Sequence, residues 1–257
     1  MAHVYVSNAD SGDIAVLRMG SGGELTLQSR VSVGGQLMPM AIHPSRKTLH
    51  VVRRSEPMAV VSLAIDPVTR DLHPLGEAAL PASMAYVSTD LAGRFLLAAS
   101  YQGHQLTVSP LGADGTVGAV QQVVPTGPNA HAILPSPCNR YVLATSLGGG
   151  ELMVFGFNAD TGRLSQAAAW PARSGAGPRH FRFDAAGRFV YLLNELDGTV
   201  DVLTWNATDG ALACVQTVGI LPPGFMGKPW AADLHLTPDG RHLYASERTS
   251  STLAHLA

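Results

Sequence analysis

The chain has 257 residues, a formal net charge of -2, 46% hydrophobic residues and only 14% charged ones. That balance excludes polybasic nucleic-acid or membrane-surface binding, and two cysteines, Cys138 and Cys214, exclude a disulfide framework and fit a reducing, cytoplasmic setting. Twenty-seven glycines with few charges suit an all-β chain with many turns rather than a helical one. The opening residues carry no basic segment followed by an apolar one, so no signal peptide is expected. No apolar run reaches the length of a membrane span.

The first predicted strands, Val4 to Asn8 and Ile14 to Leu17, align with Val190 to Leu203 at an offset of 186 residues. The chain is thus expected to open on the second, third and fourth strands of a repeat unit. A turn ending in a basic residue and followed by an apolar strand then recurs. Its anchors are Lys47, Arg94, Arg140, Arg188 and Arg241, spaced by 47, 46, 48 and 53 residues. Each unit continues through a third strand, as in Glu151 to Phe157 or Thr199 to Trp205. A polar turn follows, Asn158 to Gly162 or Asn206 to Gly210, and then a fourth strand. Four short strands per unit of this length predict a β-propeller of four-stranded blades, one domain over residues 1–257. The WD and kelch signatures are absent. The final unit ends at Ala257 in its third strand. Four complete units with a partial at each end do not close cleanly. The expectation is about five blades of a longer ring, with a degenerate five-bladed ring as the alternative.

The repeat also sets a register. Nine residues before each anchor is the entry of the innermost strand: Met38, Ala85, His131, Arg179 and Ala232. Seven residues after it is the exit of the second strand: Arg54, Tyr101, Leu147, Glu195 and Arg248. Antiparallel strands bring entry and exit to the same end, with His180 and Asp233 one residue deeper. A structural requirement would repeat one residue type, as the basic anchors do. These positions instead hold three arginines, a carboxylate and an imidazole, which is more like a grafted site. Arginine forks suit a small anionic ligand or a developing oxyanion. A His and a Glu suit general acid–base work near neutral pH. Water attack on an ester or lactone of an anionic sugar would use all of them.

Other motifs fail. There is no nucleophile elbow, zincin motif or P-loop, and Gly175-Ala-Gly177 lacks the rest of a dinucleotide fingerprint. The ten histidines show no metal-ligand spacing, so neither metal nor cofactor is expected. His43, His50, His73, His104 and His242 read as surface or turn residues, His235 as a satisfied strand residue, and Trp205 and Trp230 as blade core.

Several stretches together resemble the bacterial propeller-type 6-phosphogluconolactonases: Gly175-Ala-Gly-Pro-Arg-His180, Asn194-Glu-Leu196, Trp230-Ala-Ala-Asp-Leu-His-Leu-Thr-Pro-Asp-Gly240 and Glu247-Arg-Thr249. The resemblance runs from Val4 to about Leu253. It implies a seven-bladed propeller, related in fold to the fungal carboxymuconate-lactone cyclases. It further implies metal-free hydrolysis of 6-phospho-D-glucono-1,5-lactone in the oxidative pentose phosphate pathway. The catalytic residues it implies fall on His131, Arg179, Glu195 and Arg248. Arg54, Tyr101, His180 and Asp233 are then candidates for substrate binding. The family pattern continues for roughly a blade and a half beyond Ala257. Three readings stay open here: this lactonase acting as a cytoplasmic monomer, a lactonase or cyclase of another anionic lactone such as a muconate lactone, and a truncated propeller without activity.

Overall fold

The computed structural model describes residues 2–257. Contacts divide them into two compact units, Met1–Val124 and Pro125–Ala257. The first unit carries β1 (Ala2–Asn8), β2 (Asp13–Met19), β3 (Leu25–Ser32), β4 (Leu37–Ile42), β5 (Thr48–Arg53), β6 (Ala59–Ile65), β7 (Leu72–Ala79), β8 (Tyr86–Thr89), β9 (Phe95–Ser100), β10 (Gln105–Pro110) and β11 (Gln122–Pro125). The second carries β12 (Ala130–Pro135), β13 (Tyr141–Ser146), β14 (Glu151–Asn158), β15 (Arg163–Pro171), β16 (Pro178–Phe183), β17 (Phe189–Asn194), β18 (Thr199–Trp205), β19 (Leu212–Gly219), β20 (Ala231–Leu236), β21 (Leu243–Glu247) and β22 (Thr252–Leu256).

The strands form six antiparallel sheets, the blades of a β-propeller. Four have four strands; β1-β2-β3 and β20-β21-β22 have three. The sequence count of about five blades is therefore corrected to six sheets. The four complete units are the four-stranded sheets, and each partial unit forms a sheet of its own. The first strands of neighbouring blades touch, β4 with β8 in the first unit and β16 with both β12 and β20 in the second.

Burial follows strand order. In β5 (Thr-Leu-His-Val-Val-Arg) and β9 (Phe-Leu-Leu-Ala-Ala-Ser) almost every residue is buried on both faces, whereas the fourth strands β7, β15 and β19 are largely exposed. Runs of β-branched and leucine residues suit strands sandwiched between blades. One core cluster joins the first two sheets through Ile14, Val16, Leu37, Leu49, Val51 and Leu63. Another joins the last two through Leu193, Val200, Leu234, Leu243 and Ala245. At about 25 cal/mol per Å2 of apolar surface, each fully buried Leu or Val contributes about 1.5–3 kcal/mol.

Turn residues tie neighbouring blades together. The basic anchor Arg140 donates to the carbonyl of Ala207 at 2.7 Å, and Tyr141 donates to Thr208 O at 3.1 Å. Two sequence expectations are overturned. His50 is no surface residue: it is fully buried in β5, 3.3 Å from Ser62 Oγ, because the second strand of a blade is covered on both faces. Trp230 is no core residue: it is 51% exposed, since it precedes β20 rather than lying within it. Trp205, as expected, is buried.

Candidate functional site

The register holds at atomic level. His131, Arg179 and Ala232 are each the second residue of an innermost strand, and Glu195 and Arg248 each follow the last residue of a second strand. In these three blades the ladder between first and second strand shifts register at the entry, between Ala130 and Ile133, Pro178 and His180, and Ala231 and Leu234. Such bulges re-aim side chains out of the pleat. His131, Arg179, Ala232 and Asp233 lie within them. Side chains of the second strand satisfy backbone groups that the bulges release. Thr145 Oγ1 donates to Arg179 O at 2.7 Å and accepts from Ala132 N at 2.9 Å; Ser246 Oγ accepts from Asp233 N at 3.1 Å. Sequence reasoning passed over Thr145 and Ser246. Their signal is a hydroxyl residue near the end of the second strand, present in these two blades.

Two guanidiniums share one carboxylate oxygen. Arg248 Nη2 donates to Glu195 Oε2 at 2.8 Å. Arg179 Nε lies 2.7 Å from the same oxygen, out of line for a hydrogen bond, so this contact is an ion pair. The Glu195 and Arg179 side chains are 10% and 13% exposed, which weakens solvent screening of the pair. Arg179 Nη1 donates to Ala232 O and approaches His180 Nε2 at 3.2 Å. Arg248 is fixed by Nε to Trp230 O at 3.0 Å and Nη2 to Ala231 O at 3.1 Å, with its guanidinium carbon 3.9 Å over the Trp230 ring. That stack explains the exposure of Trp230. Arg179 Nη2, Arg248 Nη1 and Glu195 Oε1 make no hydrogen bond with the described residues. Burial, then repulsion from Arg248, works against the charge on Arg179, while Glu195 supports it; the net shift of its pKa is downward.

A second group lies alongside. His180 Nδ1 is 2.7 Å from Asp233 Oδ1, and His235 Nε2 is 3.2 Å from Oδ2. The rings of His131 and His180 meet edge to face at 4.9 Å. Burial pushes the His131 imidazole down to about 2, helped by Arg179 and His180. Burial likewise takes His180 down to about 4, against its bond to Asp233. Both imidazoles are therefore neutral near pH 7. Burial raises the Asp233 carboxyl, but the bonds from His180 and His235 outweigh it and hold the group well below the usual carboxylate range.

The equivalent positions of the first unit hold Arg54 and Tyr101. Arg54 donates through Nε to Ser83 Oγ at 2.8 Å and places Nη1 2.8 Å from Met38 Sδ. Tyr101 directly follows β9. Neither unit contains, among the described residues, a cluster of three or more His, Cys, Asp or Glu placed to hold a metal ion.

The family model described as "Lactonase, 7-bladed beta-propeller" matches residues 3–257. A 6-phosphogluconolactonase of Pectobacterium carotovorum is 43% identical over 253 residues, covering 98% of this chain and 75% of that protein. One from Serratia proteamaculans is 41% identical, covering 97% and 75%. Among solved structures, the periplasmic gluconolactonase of Pseudomonas aeruginosa superposes with a TM-score of 0.86 at 28% identity, covering 99% of this chain and 81% of that one.

Proposed function

The chain belongs to the seven-bladed β-propeller lactonases, and we propose that it hydrolyses 6-phospho-D-glucono-1,5-lactone to the open-chain acid 6-phosphogluconate, the lactone-opening step of the pentose phosphate pathway. The observation that carries the mechanism is the carboxylate of Glu195 shared by Arg179 and Arg248, each guanidinium keeping one terminal nitrogen without an acceptor among the described residues. Relatives at 41–43% identity named 6-phosphogluconolactonase support the substrate.

In this reading the lactone carbonyl oxygen sits against Arg179 Nη2 and Arg248 Nη1. A water attacks the carbonyl carbon and gives its proton to Glu195 Oε1. The resulting tetrahedral oxyanion is held by the two arginines, which are already oriented by Glu195 Oε2 and by the carbonyls of Trp230, Ala231 and Ala232. As the carbonyl re-forms, the bond from carbon to ring oxygen breaks. Glu195 returns the proton to the departing ring oxygen. Atoms balance with no other reactant: water and lactone become the hydroxy acid, which ionises in solution.

His131, neutral and buried, packs against His180 and offers a hydrogen bond rather than a charge. His180 and Asp233 act as positioning residues, since His180 Nε2 lies 3.2 Å from Arg179 Nη1 and Asp233 Oδ1 holds the other nitrogen of that ring at 2.7 Å. Arg54 and Tyr101 are candidate substrate contacts on register alone. The enzyme works as a monomer in the cytoplasm. A sugar phosphate does not cross a bilayer unaided, and both cysteines are free thiols.

A substrate panel tests the reading. Hydrolysis of the 6-phosphorylated lactone, clearly faster than of glucono-1,5-lactone or a muconate lactone, supports it. Equal rates on the phosphorylated and plain sugar lactones would remove the phosphate from the account. A preference for the muconate lactone would replace the substrate.

A further inference from the structure

In two turns of the second blade an arginine occupies a backbone position that other blades give to glycine or asparagine. The first turn joins first and second strands. Its closing residue donates its N–H back three residues and has positive φ in every case: Arg46 to His43, Gly93 to Asp90, Asn139 to Ser136, Gly187 to Asp184 and Gly240 to Thr237. The second turn joins third and fourth strands. There the N–H bonds back four residues: Arg70 to Asp66, Gly162 to Asn158 and Gly210 to Asn206, again all at positive φ. Arg46 has φ of 58° and Arg70 of 68°. A left-handed conformation disfavours a side chain with a Cβ. One such substitution is unremarkable, but two within one blade converge on one place.

Arg46 and Arg70 both line a cavity of about 630 Å3 in the first unit, whose lining also includes His3 and the apolar side chains of Tyr5, Ile42 and Ile65. It lies where β4 and β6 end and β1 begins, the opposite end of the strands from Arg54. A neighbouring cavity of about 570 Å3 shares His3 and Arg70 and adds Arg18. The nearby carboxylates are otherwise engaged. Asp66 accepts from Val68 N and Thr69 N, and Asp71 accepts from Ser29 and Gln28. Tyr5 Oη donates to the carbonyl of Arg70, which holds that turn against β1. The guanidiniums of Arg46 and Arg70 make no hydrogen bond or ion pair with the described residues, so both forks are open to an anion.

The geometry points to a second binding site in this chain, for a small phosphate ester whose charged group lies between Arg46 and Arg70 and whose apolar part rests on Tyr5, Ile42 and Ile65. Planar forks recognise phosphate oxygens bidentately, and the apolar lining favours an ester with a ring over bare phosphate. The site is independent of the lactone chemistry, since none of its residues belongs to the Arg179–Glu195–Arg248 group.

The test is calorimetric titration of the full chain with ADP and, separately, with inorganic pyrophosphate. The partners are the variants Arg46→Gly, Arg70→Gly and the double variant. Each single substitution is expected to weaken binding by at least roughly tenfold, as loss of one charge-assisted fork does, and the double variant to abolish it. Because glycine suits these turns, melting temperatures stay level or rise, and lactone hydrolysis is unchanged. Failure of the wild-type chain to bind either probe at millimolar concentration would overturn the site, as would affinity that survives in the double variant.

Discussion

Arg248 stacks its guanidinium 3.9 Å above the ring of Trp230 while donating through Nε to the carbonyl of that same residue. One residue thus supplies both a platform and an acceptor, and the half-exposed indole has a reason to face out. An exposed cation–π contact is worth about 0.5–1 kcal/mol. Trp230→Ala is therefore expected to lower kcat/KM by roughly two- to fivefold with little loss of stability. Trp230→Phe retains most of the activity. Steady-state kinetics with a thermal melt check this, and an unchanged kcat/KM in Trp230→Ala would remove the platform from the account.

Removing an oxyanion donor commonly costs about 10²–10³ in kcat. Arg248→Ala is expected to show that loss with a modest change in KM. Arg179→Ala should show the same loss and also lower stability by about 1–3 kcal/mol, because Ala232 O loses its donor and a buried carboxylate loses one cation. Lysine does not rescue either position, since the remaining contacts need a planar fork. Denaturant melts beside kinetics separate the two variants.

Glu247 accepts from the backbone N–H groups of Trp230, Thr249 and Ser250 at 2.7, 3.1 and 2.6 Å. Burial opposes its ionisation, but the Ser250 hydroxyl, which also donates to Oε2, together with these backbone bonds takes the carboxyl down to about 2. It locks the loop that carries Arg248 to the loop that carries Trp230. Glu247→Gln can keep the acceptor for Trp230 N and Thr249 N but loses the one that Ser250 N and Oγ bond. It should lower the melting temperature and reduce kcat, with KM nearly unchanged. A variant as active as the wild type would mean that this clamp does not position Arg248.

Acid should destabilise the chain before its carboxylates titrate. His50, His131 and His180 are buried, with folded pKa values of about 4, 2 and 4 against an unfolded value near 6.5. Between those limits the unfolded state binds more protons, so stability is fully present above about pH 6.5 and falls as pH drops. The slope is about 1.4 kcal/mol per pH unit for each such histidine. Urea midpoints at pH 7 and pH 5 measure it. His50→Gln, remote from the lactone chemistry, should flatten the acid limb by one histidine's share. An identical slope in that variant would refute the linkage.

Much of this architecture was legible in the chain. The basic anchors fix the turn positions, and counting from them places His131 and Arg179 on strand entries and Glu195 and Arg248 on strand exits, where they lie in the fold. The partial first and last blades were also legible, because strand-by-strand alignment needs only periodicity. The bulges were not, since an extra residue at a strand entry leaves the apolar pattern of the following residues intact. The sharing of Glu195 by two arginines depends on side-chain torsions that spacing does not encode. The burial of His50 and the exposure of Trp230 invert the usual preference of each residue. Both depend on which strand of the blade is covered and on the partner each ring finds.

Glu195 is the base on which the proposed hydrolysis depends, and lactone hydrolysis by the wild-type chain and by Glu195→Gln measures that dependence. The substrate is 6-phospho-D-glucono-1,5-lactone, with the spontaneous rate subtracted. Glutamine preserves shape and can still accept from the arginines, but it cannot take a proton from water. Wild-type catalysis above the spontaneous rate is expected, with a fall in kcat of about 10²–10⁴ in the variant and the fold intact. A variant that hydrolyses the lactone at the wild-type rate, or a wild-type chain no faster than buffer, would contradict it.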